Sequence, residues 1–393
     1  MIKAAIIIER ADIALGGAER SVFELASKLS TLNVKVTVLA AKGQMDAKNV
    51  KVLCPNASGK RTSLKQFEYA LKDHFTRNHY DIIHSTLPLP FADVYQPRGG
   101  AYPESIVRNA ASYDSKVVSS IKLITHYANI RRSELLNAER VLCTRGSSTV
   151  TAALSEYVAE HFRRHYNIDD DRLVTIRNGV KVANKVDTDE AYKLQTQIYT
   201  MLGIRQADDA VMCLFAANNF RLKGLTPLIK AMGILTKQKT ARPVYLVVAG
   251  SGSSRAYRHL AEKVGASDRV IFLGKLRHIQ STLSICDIAV LPTYYDPCSR
   301  FILEALAAAK PVITTLFNGA SEAFVDKRHG AIIDRPGDVK GLARAIAHFA
   351  NPANAAEATR AIVEDKLRDK VSILKHGQKL VTLYDSILKR NRD

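Results

Sequence analysis

The sequence lacks any apolar run that could cross a membrane, because no stretch approaches the roughly 20 apolar residues of a spanning helix. The N-terminal segment 1–9 is too short and too soon charged for a secretory signal, and we interpret it as a first β-strand. We therefore expect a cytoplasmic protein, and any association with the inner face of the cytoplasmic membrane is expected to be peripheral.

Cysteine is scarce, and the five residues present are odd in number and widely spaced. They form no CxxC motif and no cluster with histidine. We expect reduced thiols, and neither a disulfide framework nor a zinc site. The five are Cys54, Cys143, Cys213, Cys286 and Cys298.

Two common catalytic and cofactor motifs are also missing. The chain has no GxSxG elbow for a serine nucleophile, and Gly16-Gly17-Ala18 is not the GxGxxG fingerprint of dinucleotide-binding proteins. The acidic run 169–171 lies in a predicted loop, where we expect it to be solvated. We therefore predict no nucleophile triad, no dinucleotide cofactor and no catalytic metal.

Acidic residues are outnumbered, with 38 Asp and Glu against 57 Lys and Arg, which gives a net charge of +19. Nucleic acid, an anionic lipid surface or a phosphorylated substrate could each account for this excess. The basic residues of the first half are mixed with apolar and aromatic ones, and no basic block stands alone as a tail. We favour a basic face that meets an anionic surface over a merely charge-biased one.

The length of 393 residues exceeds what one core usually holds, so two domains are expected. Strand-like and helix-like segments alternate, and the alternation restarts after a polar, turn-rich stretch. Such alternation predicts an α/β fold of two tandem, doubly wound Rossmann-like domains that face a central cleft, where the ligand binds. The predicted domains are 1–180 and 196–360, and a helical tail, 361–393, packs back on the first. Within the first half we predict a long helix over 105–136 and a short strand over 140–144.

A single carboxylate stands in an otherwise apolar predicted helix. From Phe301 to Ala309, only Glu304 is polar. A helix that is apolar all round is buried, and a buried carboxylate without a partner costs several kcal/mol. Either the protein or a polar ligand must therefore supply a partner for Glu304.

The residues before this carboxylate favour a ligand. Asp296 is a good N-cap and Pro297 a good first helical residue. The next backbone N–H groups would then lack helical acceptors and form an anion site, about one turn from Glu304. An anion site beside a buried acceptor suits a phosphate joined to a polyhydroxyl group. The predicted amides are those of Ser299, Arg300 and Phe301.

Further candidates follow predicted strands. Gly16-Gly17 and Gly250-Ser251-Gly252 would let a ligand approach the backbone, although each could be only a strand-to-helix turn. Arg221 and Lys223 could neutralise a diphosphate, or be a solvated pair. His84 could be an acid or base, or a structural histidine, and Arg98 could contact an anionic substrate or be a surface arginine.

In order and spacing, these motifs resemble the retaining family 4 glycosyltransferases of GT-B fold over nearly the whole chain. The most specific part is an acidic pair with seven residues between its members, Asp296 and Glu304. The first half is similar to the lipopolysaccharide core glucosyltransferases of that family through 93–100. The other matching motifs are Gly16-Gly17, 177–180, 221–224 and 250–252.

The resemblance implies a nucleotide-sugar donor in the second domain and an acceptor mainly in the first. It implies that Lys223 binds the diphosphate, Glu304 the ribose and Asp296 the sugar hydroxyls, while the loop at Gly17 closes over the diphosphate.

Three departures from the family pattern are visible. The first acidic residue is usually Glu, where this chain has Asp296. The usual arginine ahead of the lysine is replaced by Asn218, so we expect Arg221 to reach the same oxygen. No first-domain histidine is evident at the family position, and we expect His84 or Arg98 in that neighbourhood, near the acceptor.

The sequence thus predicts a metal-independent retaining hexosyltransferase, in which Asp296, Lys223 and Arg221 are catalytic. The donor is expected to be a UDP-sugar, UDP-glucose by resemblance, and the acceptor a lipopolysaccharide core, lipid-linked or polysaccharide chain. An anionic membrane surface is an expected partner and nucleic acid is not. A sugar-nucleotide epimerase of the same fold and a non-enzymatic basic nucleic-acid-binding protein are the alternatives.

Overall fold

A computed structural model describes residues 1–12, 16–43, 48–56, 62–144, 146–182, 186–205, 209–238, 240–276 and 278–391. The contacts between residues divide the chain into two compact units. The first comprises Met1–Ala110, Asp114–Val180 and Ile373–Asp393, and the second comprises Ala111–Tyr113 and Lys181–Ser372. Within the predicted tail, residues 361–372 thus belong to the second unit.

The elements of the first unit up to residue 180 alternate between strand and helix. In chain order they are β1 (Ile2–Ala11), α1 (Gly17–Ser30), β2 (Val34–Gly43), β3 (Val50–Val52), α2 (Leu64–Arg77), β4 (Ile82–Ser85), β5 (Val94–Tyr95), α3 (Tyr102–Ala111), α4 (Lys116–Tyr127), α5 (Ile130–Cys143), β6 (Val150–Ala153), α6 (Glu156–Tyr166) and β7 (Leu173–Thr175).

The second unit repeats this alternation, and the chain then returns to the first unit. The elements are α7 (Thr188–Leu202), β8 (Val211–Ala216), α8 (Leu225–Leu235), β9 (Val244–Ala249), α9 (Arg255–Val264), β10 (Val270–Gly274), α10 (Ile279–Ile285), β11 (Ile288–Leu291), α11 (Arg300–Ala307), β12 (Val312–Thr315), β13 (Gly330–Ile333), α12 (Val339–Phe349), α13 (Pro352–Glu364), α14 (Leu367–Lys370) and α15 (Ile373–Arg390).

Each unit contains one parallel sheet within the described residues. The strand order is β3-β2-β1-β4-β5-β6-β7 in the first and β10-β9-β8-β11-β12-β13 in the second. In each sheet the strand numbers first fall and then rise. This reversal lies between β1 and β4 in the first sheet and between β8 and β11 in the second. The predicted pair of doubly wound α/β domains is confirmed, and the two reversals are where such folds bind ligands.

The side chains of β1 explain why helices cover both faces of the first sheet. Ile6 and Ile8 belong to one apolar cluster with Leu25 of α1, and the intervening Ile7 packs on the other face with Phe67 of α2. Successive side chains of a strand point to opposite faces, so a run apolar at every position is buried on both.

Helix α15, near the C-terminus, completes the apolar core of the first unit. Leu380 and Tyr384 are fully buried in the cluster that contains α1. The N–H of Ile373 donates to the carbonyl of Val180 at 2.8 Å, and His376 Nδ1 donates to the carbonyl of Arg177 at 2.7 Å. Helix α15 is thus an integral part of this unit.

The region predicted as one helix, 105–136, consists of parts of three helices. The side chain of Ser115 caps α4 by accepting the N–H of Val118, and that of Asn129 caps α5 by accepting the N–H of Arg132. The predicted strand over 140–144 is wrong, because these residues include the last turn of α5. A short apolar run does not distinguish a strand from a buried helix end.

Two further features concern membrane spans and cysteines. No helix among the described residues is long and apolar enough to span a membrane. All five cysteines are buried free thiols.

A buried carboxylate fastens α5 to its surroundings. Glu139 has no exposed surface. Its Oε1 accepts the hydroxyl of Tyr95 at 2.7 Å, and its Oε2 accepts the hydroxyl of Tyr166 at 2.6 Å and the N–H of Tyr102 at 2.8 Å. Burial raises the pKa of Glu139 to about 7, against the lowering effect of these hydrogen bonds.

This raised pKa predicts that ionisation of Glu139 costs stability. The fold favours the protonated acid, so its contribution is complete below the ordinary pKa of 4.5 and is lost as the pH rises through about 7. At about 1.4 kcal/mol per pKa unit, the loss is up to about 3 kcal/mol. Glu139→Gln mimics the protonated acid, since its amide nitrogen can donate to the Tyr95 hydroxyl. In urea unfolding, the free energy of unfolding of Glu139→Gln should rise relative to that of the wild type between pH 5 and pH 8. A difference between the two proteins that does not change with pH would contradict the account.

Candidate functional site

The loops that follow β8 and β11 meet at the reversal of the second sheet. Lys223 lies in the first loop, and its Nζ contacts Asp296 Oδ2 in the second at 2.7 Å. The same Nζ donates to the carbonyl of Tyr295 at 2.9 Å. Both charged side chains are largely buried, with 20% and 15% of their surface exposed. Two residues 73 positions apart, each predicted from its own motif, therefore form one site.

Two glycines allow the β8 loop to lie this close to its neighbours. Gly224 has φ +82°, and a Cβ there would lie 1.9 Å from the carbonyl oxygen of Pro292. Gly250 has φ +140°, and a Cβ there would lie 1.7 Å from the carbonyl oxygen of Ala217. Any other residue at these two positions would push apart the loops that follow β8, β9 and β11. Gly250, predicted to contact a donor, thus packs against protein backbone.

The residues around Lys223 are held by side-chain contacts. Asn218, which stands at the position of the family arginine, accepts the hydroxyl of Ser251 at 3.0 Å. Arg221 donates to the hydroxyl of Ser112 and stacks on the ring of Tyr113, 3.7 Å from its centroid. Ser112 and Tyr113 are grouped with the second unit. Arg221 therefore lies in the loop of Lys223 but is engaged by these two residues.

The predicted start of the helix at Asp296 and Pro297 is wrong. Helix α11 begins at Arg300, and its N-cap is Ser299, whose hydroxyl accepts the N–H of Ile302. The N–H of Asp296 instead donates to the carbonyl of Phe317 at 2.9 Å, in a parallel bridge to the loop after β12. This pairing holds Asp296 in an extended loop, beside Lys223.

The later start also changes the predicted anion site. The N–H of Ser299 donates to Asn318 Oδ1 at 3.1 Å, so the protein itself uses the first of the three predicted amides. Arg300 and Phe301 are the first two residues of α11, where backbone N–H groups have no acceptor within the helix. Ser299 therefore drops out of the predicted anion site.

The protein supplies a partner for the predicted lone carboxylate. Glu304 Oε1 accepts from Arg300 Nη2 at 3.1 Å, and both side chains are about nine-tenths buried. Five neighbours in α11 are buried, as the apolar sequence predicted. Glu304 also borders a cavity of about 490 Å³, together with Gln280 and Ile362. This cavity lies toward the C-terminal end of α11, and among the residues that line it Glu304 is the only predicted donor residue.

Two candidates of the first unit, His84 and Arg98, are close enough to interact electrostatically. His84 is fully buried, and its Nδ1 is 2.5 Å from the hydroxyl of Tyr384. Burial and the nearby Arg98 hold its pKa well below the ordinary value, so it is neutral. Arg98 is half-buried and donates to Asn178 Oδ1 at 3.4 Å. Direct contact between His84 and an acceptor would require α15 to move.

Gly16 is the N-cap residue of α1 and Gly17 its first residue. The preceding residues of the predicted closing loop, 13–15, lie outside the described part of the chain. The described residues contain no cluster of three His, Cys, Asp or Glu side chains that could hold a metal.

Comparison with known proteins identifies the class that this fold and site define. Residues 15–184 match the model of Glycosyltransferase Family 4, and residues 204–364 match the model of Glycosyl transferases group 1. The two models thus cover both units. The chain belongs to the glycosyltransferases of GT-B fold.

Individual relatives agree with this assignment. The chain is 23% identical over 325 residues to the lipopolysaccharide glucosyltransferase WaaG of Escherichia coli, which covers 82% of each chain. A crystal structure of WaaG superposes with a TM-score of 0.76 at 19% identity, covering 97% of this chain and 99% of that one.

Two other solved structures share the fold. Sucrose-phosphate synthase from Thermosynechococcus elongatus has a TM-score of 0.77 at 18% identity, over 99% of this chain and 100% of that one. HepE from Anabaena, solved in complex with UDP-glucose, has a TM-score of 0.70 at 16% identity, over 98% and 100%. At these identities the structures establish the shared fold.

The contact between Gly224 and Pro292 predicts a graded effect of alanine substitution. Gly203 also has positive φ, +65°, but a Cβ there would meet nothing within 4 Å. Gly203→Ala should lose only the backbone strain of about 1 kcal/mol, whereas Gly224→Ala must also displace the β11 loop. Denaturant unfolding should therefore show a larger decrease in the free energy of unfolding for Gly224→Ala than for Gly203→Ala. Equal losses would mean that the two loops are not held this close.

Proposed function

We propose that this protein is a metal-independent retaining hexosyltransferase that transfers glucose from UDP-glucose to a lipopolysaccharide-core, lipid-linked or polysaccharide acceptor. The observation that carries the proposal is the Lys223–Asp296 contact at the reversal of the second sheet. In this proposal the cation of Lys223 binds the diphosphate and the neighbouring carboxylate of Asp296 binds sugar hydroxyls. The relationship to WaaG and the UDP-glucose complex of HepE support the choice of donor.

The described residues can assist this reaction by electrostatics and positioning. In a front-face mechanism, the bond from the sugar C1 to the diphosphate oxygen breaks while the acceptor oxygen forms its bond to C1 on the same face. The leaving diphosphate takes the acceptor proton. Lys223, with Arg221 and the first-turn N–H of Phe301, would stabilise the charge that develops on that diphosphate.

The two carboxylates have separate roles in this scheme. Asp296 would accept hydrogen bonds from the hexose hydroxyls while Lys223 turns toward the diphosphate, keeping its carbonyl partner Tyr295. Glu304 would accept the ribose hydroxyls, and its salt bridge to Arg300 fixes the orientation of the carboxylate.

The acceptor is proposed to bind mainly to the first unit. Arg98 is the side chain best suited to an anionic acceptor, because it is half-buried and its guanidinium matches the geometry of carboxylate and phosphate oxygens. His84 would not contact the acceptor itself. Burial and the neighbouring Arg98 lower the pKa of His84, so any effect of this histidine on the acceptor would pass through Arg98.

We further propose that the protein works in the cytoplasm at an anionic membrane surface, which it meets with α4. Val117, Ile121 and Ile124 recur at helical spacing on one face and are 68%, 53% and 69% exposed. Lys116 and Lys122 lie on the same helix, in a chain of net charge +19. An exposed apolar face flanked by lysines suits the interface of an anionic bilayer.

The proposed transfer predicts a strong dependence on Lys223. Lys223→Ala should lower turnover by about 10²-fold, because the diphosphate loses a fixed cation in a largely buried site. Lys230 is an exposed lysine of α8, so Lys230→Ala is the matched control and should leave turnover unchanged. The measurement is UDP release from UDP-glucose with candidate acceptors in EDTA. Near-normal turnover of Lys223→Ala would exclude lysine from the mechanism.

The proposed membrane face predicts a position-dependent loss of vesicle binding. Ile121→Glu should weaken co-sedimentation with phosphatidylglycerol-containing vesicles about tenfold or more, since it removes one aliphatic side chain that would insert into the bilayer and adds a charge that the anionic lipids repel. Tyr69 of α2 is 78% exposed, so Tyr69→Glu makes the same charge change elsewhere and should have little effect. Equal effects of both, or no wild-type binding at low salt, would contradict the proposal. A shift to a smaller oligomer in Ile121→Glu alone would assign this face to a second copy.

A further inference from the structure

The loop after β12 reaches back to the loop that carries Asp296. The N–H of Asp296 donates to the carbonyl of Phe317, and the carbonyl of Asp296 accepts the N–H of Gly319, both at 2.9 Å. Between these two residues lies Asn318, which is completely buried. The segment that bears the proposed sugar-binding carboxylate is thus held on both sides of Asn318.

The side chain of Asn318 makes three hydrogen bonds that connect separate parts of this region. Its Oδ1 accepts the N–H of Ser299 at 3.1 Å and the N–H of Ala320 at 3.0 Å. Its Nδ2 donates to Thr314 Oγ1 at 2.9 Å. Ser299 is the N-cap of α11, so one amide side chain joins the start of that helix to strand β12 and its loop.

The hydrogen-bond directions explain why an amide is required here. Thr314 Oγ1 donates its own proton to the carbonyl of Leu291 at 2.8 Å, so it can only accept from residue 318. The N–H groups of Ser299 and Ala320 can only donate. Residue 318 must therefore offer a donor on one side and an acceptor of two bonds on the other. Aspartate lacks the donor and would bury a charge, and an aliphatic residue lacks both.

Threonines extend this connection to the lysine loop. Thr315 Oγ1 donates to the carbonyl of Thr293 at 2.6 Å. The N–H of Tyr294, the residue after Thr293, donates to the carbonyl of Leu222 in the lysine loop at 2.9 Å. Both threonines are fully buried. The loops that carry Lys223 and Asp296 are thereby tied to β12, the strand that also supports Asn318.

We infer that Asn318 is a positioning residue for donor binding. It fixes Ser299 at the start of α11 and Asp296 beside Lys223, so that the first-turn N–H groups and the carboxylate face the same ligand. The inference rests on the proposed function for its kinetic consequence, but the loop geometry that it describes does not. Asn318 itself does not contact the reacting atoms in this scheme.

Three variants test the inference. Asn318→Ala removes all three side-chain bonds. Thr314→Val removes the acceptor for Nδ2 and the bond from Thr314 Oγ1 to the carbonyl of Leu291. It keeps both bonds that Asn318 Oδ1 accepts and should have a smaller effect of the same kind. Asn351→Ala is the matched control, because Asn351 caps α13 by accepting the N–H of Ala353 at 3.0 Å, away from these loops. It should cost a typical capping contribution to stability without affecting the donor.

The kinetic readout separates positioning from general destabilisation. At a temperature where all variants are folded by circular dichroism, Asn318→Ala should raise the KM for UDP-glucose and lower kcat, each about tenfold or more, with the acceptor KM unchanged. Asn351→Ala should leave the donor KM unchanged. A loss of active protein alone would lower the apparent kcat and leave the donor KM as it is, and that result would overturn the inference.

A second readout does not require activity. Hydrogen exchange should be faster over peptide 296–303 in Asn318→Ala, and to a smaller extent in Thr314→Val, but not in Asn351→Ala. Unchanged exchange over this peptide in both loop variants would overturn the inference even in an active enzyme. If the wild-type protein transfers no hexose, the proposed function is refuted. Faster exchange in Asn318→Ala would then still support the positioning of the loop.

Discussion

The contact between Lys223 and Asp296 is the interaction on which the candidate site depends. A lysine and a carboxylate that are both mostly buried must be paired, because either one alone would carry a large desolvation cost. The pairing requires the β8 and β11 loops to touch, and Gly224 is the residue that lets them do so. The reversal of strand order brings the two loops to the same place. The sheet topology, one glycine and one ion pair therefore form a single constraint.

The sequence was most informative where the chemistry is local. The alternation of apolar segments predicted two doubly wound domains, because strands buried on both faces are recognisable from composition alone. The isolated polarity of Glu304 correctly required a partner, but the sequence pattern could not decide between protein and ligand. The partner is Arg300, one helical turn away. Arg300 had been predicted only for its backbone N–H, although i and i+4 residues face each other on a helix.

The errors arose where distant segments decide the outcome. Asp296 and Pro297 have the character of a helix start, yet Asp296 pairs with the loop at 317–319, and the helix begins only at Arg300. The local pattern explains only the contact of Asn318 with Ala320, two residues further on, and carries no signal for its bond to Ser299, 19 residues earlier. His84 has the same difficulty, since Tyr384, which buries it, is 300 residues away. The strand predicted over 140–144 failed because the buried Leu142 and Cys143 suit either a strand or the end of a helix.

The central claim is that the second unit holds a UDP-sugar without a metal, at the site formed by Lys223, Asp296 and Glu304. The most direct measurement is a thermal-shift titration of the purified protein with UDP-, GDP- and ADP-glucose in EDTA. A ligand that binds only the folded state stabilises it by mass action, by about 2.7 kcal/mol at a hundred times its Kd. We predict saturable stabilisation by UDP-glucose that EDTA does not alter. Stabilisation that requires a divalent cation, or none with any of the three sugars, would contradict the account.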